Sequence, residues 1–194
     1  MLKAKSLYHL IVYSIFFIII LISFFTFIII NNAHEELQEK ITTLKEDYTN
    51  NQKALLKNYV NYVIKFIDYY YIENRDKFDE ETIQKNLILA LDHLNISSNP
   101  NEYIFIFDIN GNLIDNSNDK QEIGKNFLNY KDSKGKNVVK ELIEASKNSD
   151  GGFVNYFWSK PSLTKETNKI SYVKSYDRWN WTIGKGVYLD EIDR

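Results

Sequence analysis

The sequence predicts an α+β domain behind one transmembrane helix. Three observations carry this: an uncharged apolar run over residues 10–30, a stretch without Gly or Pro and with helical apolar spacing over 33–72, and a change to strand-like spacing from residue 101. A chain of 194 residues allows one folded domain with an appendage. Lys plus Arg is 24 and Asp plus Glu is 26, a balance that argues against a nucleic-acid binder. The absence of cysteine excludes a disulfide scaffold, a thiolate zinc site, an iron–sulfur cluster and a cysteine nucleophile. The three histidines, His9, His34 and His93, lie far apart, which makes a His-based metal cage improbable.

The apolar run would extend roughly 31 Å as a helix, the thickness of a hydrocarbon core. It is too long for a signal-peptide core and ends in Ile28-Ile29-Ile30-Asn31-Asn32 without a small-residue cleavage site, so it reads as an uncleaved anchor. Lys3 and Lys5 precede it, and the positive-inside bias puts the N-terminus in the cytoplasm. The expected division is a cytoplasmic N-terminus at 1–6, a transmembrane helix at 7–30, a long membrane-proximal helix at 31–78 and a folded core at 79–194. The expected place is the inner (cytoplasmic) membrane, crossed once, with residues 31–194 periplasmic or otherwise extracytoplasmic.

In the long helix Leu37, Ile41, Leu44 and Tyr48, then Leu56, Val60, Val63, Ile67 and Tyr70, form an apolar stripe. Two readings stand: a helix packed on its own domain, and in addition the seam of a homodimer near the membrane. Asp79 is placed to cap a second helix, with Glu80 and Glu81 in its first turn and Ile83, Leu87, Ala90, Leu91 and Leu94 as its buried face. Ser97-Ser98-Asn99-Pro100 should stop it. Tyr103-Ile104-Phe105-Ile106-Phe107 reads as a buried strand, and Asp108-Ile109-Asn110-Gly111-Asn112 as the turn of a hairpin returning at Leu113. A short helix is expected over 138–147, followed by three antiparallel strands at 153–159, 169–176 and 179–189.

Asp108-x-Asn110-x-Asn112 with Asp119 imitates a calcium loop, but Gly111 is misplaced and strands flank it, so it reads as a turn. Asn95-Ile96-Ser97 fits a glycosylation sequon. The chain carries no phosphate loop, HExxH, GxSxG or kinase signature and presents no enzyme. No cofactor is implied.

GGFVNYFWSKP at 151–161 and KISYVKSYDRWNWTIGKGVYLDEI at 169–192 resemble the C-terminal half of a single Cache domain of the second subtype. The matching elements are Tyr156-x-Trp158-x-Lys160-Pro161, Lys169-x-Ser171-Tyr172-Val173-Lys174, Trp181, Gly184-x-Gly186 and Tyr188. NEYIFIFDINGNLIDN resembles the family's first hairpin, and Gly124 followed by Asp132-x-x-Gly135 its next loop. The likeness covers roughly 80–192 and implies a PAS-like antiparallel sheet used for extracytoplasmic sensing in bacterial chemoreceptors, histidine kinases and cyclic-dinucleotide enzymes. One departure is Asp115-Asn116, where the family often has His-Pro.

Strand alternation sorts the side chains into two faces. With Tyr156 opposite Tyr172, one face carries Tyr156, Trp158, Ile170, Tyr172 and Lys174, continuing into Trp179, Trp181 and Ile183. The other carries Phe153, Phe157, Val173, Thr182 and Gly184 and suits helix packing. Aromatic walls with phenols and a cation suit a small carboxylate. The expected ligand-binding residues are Tyr103, Phe105, Tyr156, Trp158 and Tyr172, with Lys160 or Lys169 as counter-charge. Lys169 falls on the opposite parity and joins on the strength of the resemblance. The competing reading makes the rings plain core and lets the lysines snorkel to solvent. The expected function is the ligand-sensing input of a bacterial transmembrane signal transducer, embedded in the membrane and binding a small-molecule carboxylate, with no nucleic acid partner. The alternative is a membrane-anchored binding or scaffold protein without cytoplasmic output, raised by the chain stopping at Asp193-Arg194 without a second apolar span.

Overall fold

The computed structural model describes residues 2–94, 99, 101–161, 163 and 165–191. Helix α1 spans Leu2–Asn74 without interruption, as its freedom from Gly and Pro allows. The chain divides into two compact units, residues 1–47 and 48–194. In the first, the described apolar side chains over 11–30 are nearly all exposed, and the helix there is long and apolar enough to cross a membrane.

In the second unit the remainder of α1 is followed by α2 (Glu80–Leu94), β1 (Ile104–Asp108), β2 (Leu113–Asn116), α3 (Val138–Ser146), β3 (Gly152–Ser159), β4 (Glu166–Tyr176) and β5 (Trp181–Tyr188). Asp79 caps α2 by accepting from the Thr82 backbone N–H at 2.8 Å and from its hydroxyl at 3.1 Å. The sequon Asn95-Ile96-Ser97, and Ser98 and Pro100 of the expected helix stop, lie outside the described residues. At the β1–β2 turn the Asp108 carboxylate accepts from the backbone N–H groups of Asn110 and Asn112 and from the Asn112 side chain, so the acidic residue there holds the turn.

The five strands form one antiparallel sheet in the order β2-β1-β5-β4-β3. One face packs under the helices: Leu56, Val60, Val63 and Ile67 of α1 and Ile83, Leu87 and Leu91 of α2 meet Ile104, Ile106, Ile170, Tyr172 and Ile183. The buried stripe of the membrane-proximal helix is therefore its packing surface on the sheet. Trp179, in the 3₁₀ turn between β4 and β5, donates from its indole to Glu80 at 2.6 Å and fastens the start of α2. The other face packs under α3 and the long β2–α3 connection, with Val138, Val139, Leu142 and Ile143 against Phe105, Phe107, Val154 and Val173.

The register of β3 differs from the expected one. Tyr156 pairs with Lys169 and Phe153 with Tyr172, because β4 begins at Glu166 and the β3–β4 connection is correspondingly shorter. An offset of an odd number of residues exchanges the faces of a strand. Tyr156 and Trp158 thus share a face with Lys169, Ser171 and Val173, while Tyr172 joins Ile170 and Lys174 under the helices.

Candidate ligand-binding site

A cavity of about 240 Å³ lies between the α3 face of the sheet and the segments that cover it. Its size is below the roughly 300–1,000 Å³ of drug-sized pockets and suits a small metabolite. Its floor is Tyr103, just before β1, Phe105 of β1, Tyr156 and Trp158 of β3, and Lys169 of β4. Phe127 and Tyr130 of the β2–α3 connection and Leu142 of α3 close it from above, and Asn116, Asp119 and Glu122 stand at its polar edge.

Lys169 is 1% exposed. Its ammonium nitrogen sits 3.9 Å from the centroid of the Tyr103 ring, 4.9 Å from that of Tyr188 and 5.7 Å from that of Phe105. Among the described residues it makes no hydrogen bond and no ion pair. Burial holds its pKa well below the usual lysine range. Space for its side chain comes from the glycines of β5: a Cβ on Gly186 would overlap Ser171 Oγ and stand 2.7 Å from Lys169 Cε. Gly184 in the same way leaves room for the Phe105 ring.

The phenols around Lys169 are ordered by one another. Tyr103 and Tyr188 hydroxyls are 3.4 Å apart, and Tyr188 donates to the Ser159 carbonyl at 2.7 Å. Tyr156 shares a 2.8 Å hydrogen bond with Ser171. Burial pushes Tyr103, Tyr156 and Tyr188 above the usual phenol range, so all three remain neutral donors. Tyr130 donates to Glu166 at 2.8 Å and packs edge-on against Trp158 at 4.9 Å, which ties the covering loop to the far end of the floor. Burial, then Glu166, push its pKa up to about 12.

Five of the seven residues expected from the sequence meet in this cavity: Tyr103, Phe105, Tyr156, Trp158 and Lys169. Tyr172 is on the opposite face, donating to the Asp150 carbonyl and packing on Phe153 at 5.0 Å. Lys160 is buried beside the ring of Tyr188, but its ammonium is paired with Asp190 at 2.8 and 3.0 Å and is not among the cavity's walls. The roof residues Phe127, Tyr130 and Leu142 and the edge residues Asn116, Asp119 and Glu122 were not among the expected ones. The one sequence signal for them is Phe127-x-x-Tyr130, two aromatics in an otherwise polar loop.

A second hollow, of about 500 Å³, lies where the end of α3 meets β5. Its wall includes Lys147, Asn148, Lys174 and Asp177, and Ser146 and Thr182 at its base satisfy each other at 3.0 Å. It is larger than the aromatic cavity, but among the described residues no buried ionisable group lines it, whereas the aromatic cavity holds a buried amine.

A long helix thus packs against one face of a five-stranded antiparallel sheet, and a cavity of small-molecule size lies on the other. Residues 48–194 match the family Single Cache domain 2, and the chain belongs to that family. It is 30% identical over 155 residues to the sensor histidine kinase MctS of Rhizobium johnstonii, covering 80% of this chain and 32% of that protein. It is 27% identical over 119 residues to the methyl-accepting chemotaxis protein McpP of Pseudomonas putida, covering 61% of this chain and 21% of that protein. The chain thus spans about a third and a fifth of the length of these two curated relatives. Among solved structures it is similar to a methyl-accepting chemotaxis protein from Vibrio parahaemolyticus, with a TM-score of 0.69, 26% identity and coverage of 79% of this chain and 99% of that one. It is also similar to a Cache chemosensory domain described for its carboxylic acid recognition, with a TM-score of 0.65, 26% identity and coverage of 74% and 97%.

Proposed function

We propose that this protein is the extracytoplasmic ligand-sensing part of a bacterial transmembrane signal transducer, and that it binds a small organic acid in the aromatic cavity. The single observation behind the ligand class is Lys169, a buried amine on a cavity wall with no ion-pair partner among the described residues. A ligand carboxylate supplies the missing anion, and the neutral phenols of Tyr103 and Tyr156 donate to its oxygens. The similar Cache domain described for carboxylic acid recognition supports the same class. Tyr103, Phe105, Tyr156 and Trp158 form the apolar enclosure. Lys160 and Tyr172 act from outside the cavity, by holding Asp190 and the Asp150 turn.

Binding is transmitted through the sheet. Phe105 faces the cavity, while its neighbours Ile104 and Ile106 face α1 and α2, so a shift of β1 on ligand closure reaches the helix that continues toward the membrane. The transducer works as a homodimer, in which Tyr48, Leu55, Tyr62 and Tyr69 of α1, exposed and seven residues apart, pair with the same residues of a second copy. Residues 1–6 are cytoplasmic, 7–30 cross the membrane and 31–194 lie outside.

The test is a thermal-shift screen of the full chain in lipid nanodiscs against small acids, amines, amino acids and purines, with protease treatment of intact spheroplasts to fix the side of the membrane. Short acids should raise the melting temperature of the wild type and of Lys160→Ala, but not of Lys169→Ala. Stabilisation by an amine or purine and by no acid defeats the ligand class. Survival of residues 31–194 in spheroplasts whose outer-face marker is digested defeats the topology.

A further inference from the structure

The two ends of the cavity carry opposite charge. Lys169 enters from β4, reaching across Gly186 of β5 toward Tyr103. Asp119, exposed to solvent, and the half-buried Glu122 enter from the opposite edge of the sheet, on the turn that follows the edge strand β2. That turn is fixed. Asn116 accepts the backbone N–H groups of Asn118 and Asp119 at 3.1 and 3.3 Å. Lys120 is held by Asp115 and by Asp92 of α2, both at 2.6 Å, so its charge is taken up away from its neighbour Asp119. Glu122 is paired with Lys125 at 2.7 Å. Asp119 accepts from the Gln121 backbone N–H through Oδ1 at 3.1 Å and keeps Oδ2 as an acceptor at the cavity's edge. After burial and Tyr188, the Asp119 charge is among the causes that raise the pKa of Tyr103, which places its field inside the cavity.

Resting on the carboxylate reading above, we propose that the ligand is a short acid with a hydrogen-bond donor, hydroxyl or ammonium, at the end remote from its carboxylate, with the carboxylate against Lys169 and the donor against Asp119. A plain fatty acid offers Asp119 no donor and leaves its carboxylate to water, so it forgoes the second contact. A dicarboxylate places a second negative charge against Asp119 and is repelled.

The experiment compares four acids with the same four-carbon chain on the full-length protein in nanodiscs: butyrate, 4-hydroxybutyrate, 4-aminobutyrate and succinate, each titrated calorimetrically. We expect 4-hydroxybutyrate and 4-aminobutyrate to bind about three- to fivefold more tightly than butyrate, and succinate to bind more weakly than butyrate. Asp119→Asn keeps an oxygen for the Gln121 N–H, so the turn stays formed, which far-UV dichroism and the melting temperature check. In that variant the preference for a donor end should collapse to about twofold or less, and succinate should gain affinity. Glu122→Gln, whose charge is already paired, should change these ratios far less. Butyrate bound as tightly as the two donor-bearing acids, with Lys169→Met abolishing all binding, overturns the two-ended cavity and leaves the carboxylate reading intact. Succinate bound as tightly as butyrate, or ratios unmoved by Asp119→Asn, also overturns it. Failure of all four acids to bind overturns both.

Discussion

The ammonium nitrogen of Lys169 lies 3.9 Å from the centre of the Tyr103 ring, and among the described residues it has no ion-pair partner. Burying a charged group without an opposite charge is strongly unfavourable, and the usual outcome is a shift toward the neutral form. The empty site therefore holds an amine destabilised in its charged state, and the ligand that relieves this is an anion. Stability, binding and pH dependence all follow from that one relationship.

The empty protein should become more stable when this amine is removed. Unfolded lysine keeps its proton to about pH 10.4, whereas folded Lys169 releases it at lower pH, so the unfolded state binds more protons. The Lys169 contribution to stability then rises with pH between those two values. Lys169→Met should melt several degrees above wild type at neutral pH, with the gap narrowing toward pH 10, about 2–4 °C per kcal/mol for a domain of this size. A variant that melts below wild type at every pH contradicts the strained-amine account.

Acid binding should carry a proton with it. The amine is biased toward neutrality in the empty cavity and becomes charged beside a carboxylate, so each ligand bound draws in up to one proton. Affinity should fall as pH rises between the lysine's empty and ligand-bound pKa values. Titration calorimetry in buffers of different ionisation enthalpy reads the proton number directly. Proton release, or none exchanged across that range, goes against this.

Gly186→Ala should damage folding and binding together. Its added methyl would overlap Ser171 Oγ and crowd Lys169 Cε, and both anchor the cavity floor. Overpacking of this kind costs about 1–3 kcal/mol. A lower melting temperature and weaker acid binding are expected, with Gly124→Ala as a control for a glycine whose Cβ would meet no atom within 4 Å but whose φ is +84°. Unchanged acid affinity in Gly186→Ala would separate the glycine from the site.

Much of this fold was legible because its signals are local. The spacing Leu56, Val60, Val63, Ile67 placed the packing stripe of α1, and Asp79 with Glu80 and Glu81 placed the start of α2. The β1–β2 hairpin followed from Asp108 and Gly111. The pairing of β3 with β4 was not legible. Glu166, Thr167 and Asn168 are polar and read as loop, yet they extend β4 and set an odd offset that turns Tyr156 toward Lys169 and away from Tyr172. The roof was hidden too, because Phe127 and Tyr130 reach the cavity from a connection with no periodicity, closed by the contact of Tyr130 with Glu166 across 36 residues. The sequence likewise could not distinguish Lys160, paired with Asp190, from Lys169, which faces the cavity, since pairing is a tertiary property.

The measurement closest to the central claim is the affinity of propionate for the full chain in nanodiscs, by titration calorimetry, for wild type, Lys160→Met and Lys169→Met. The account predicts saturable binding to wild type and to Lys160→Met, and its loss in Lys169→Met while that variant remains folded and melts no lower than wild type. Saturable binding of propionate to a folded Lys169→Met protein, with affinity close to that of wild type, would contradict it.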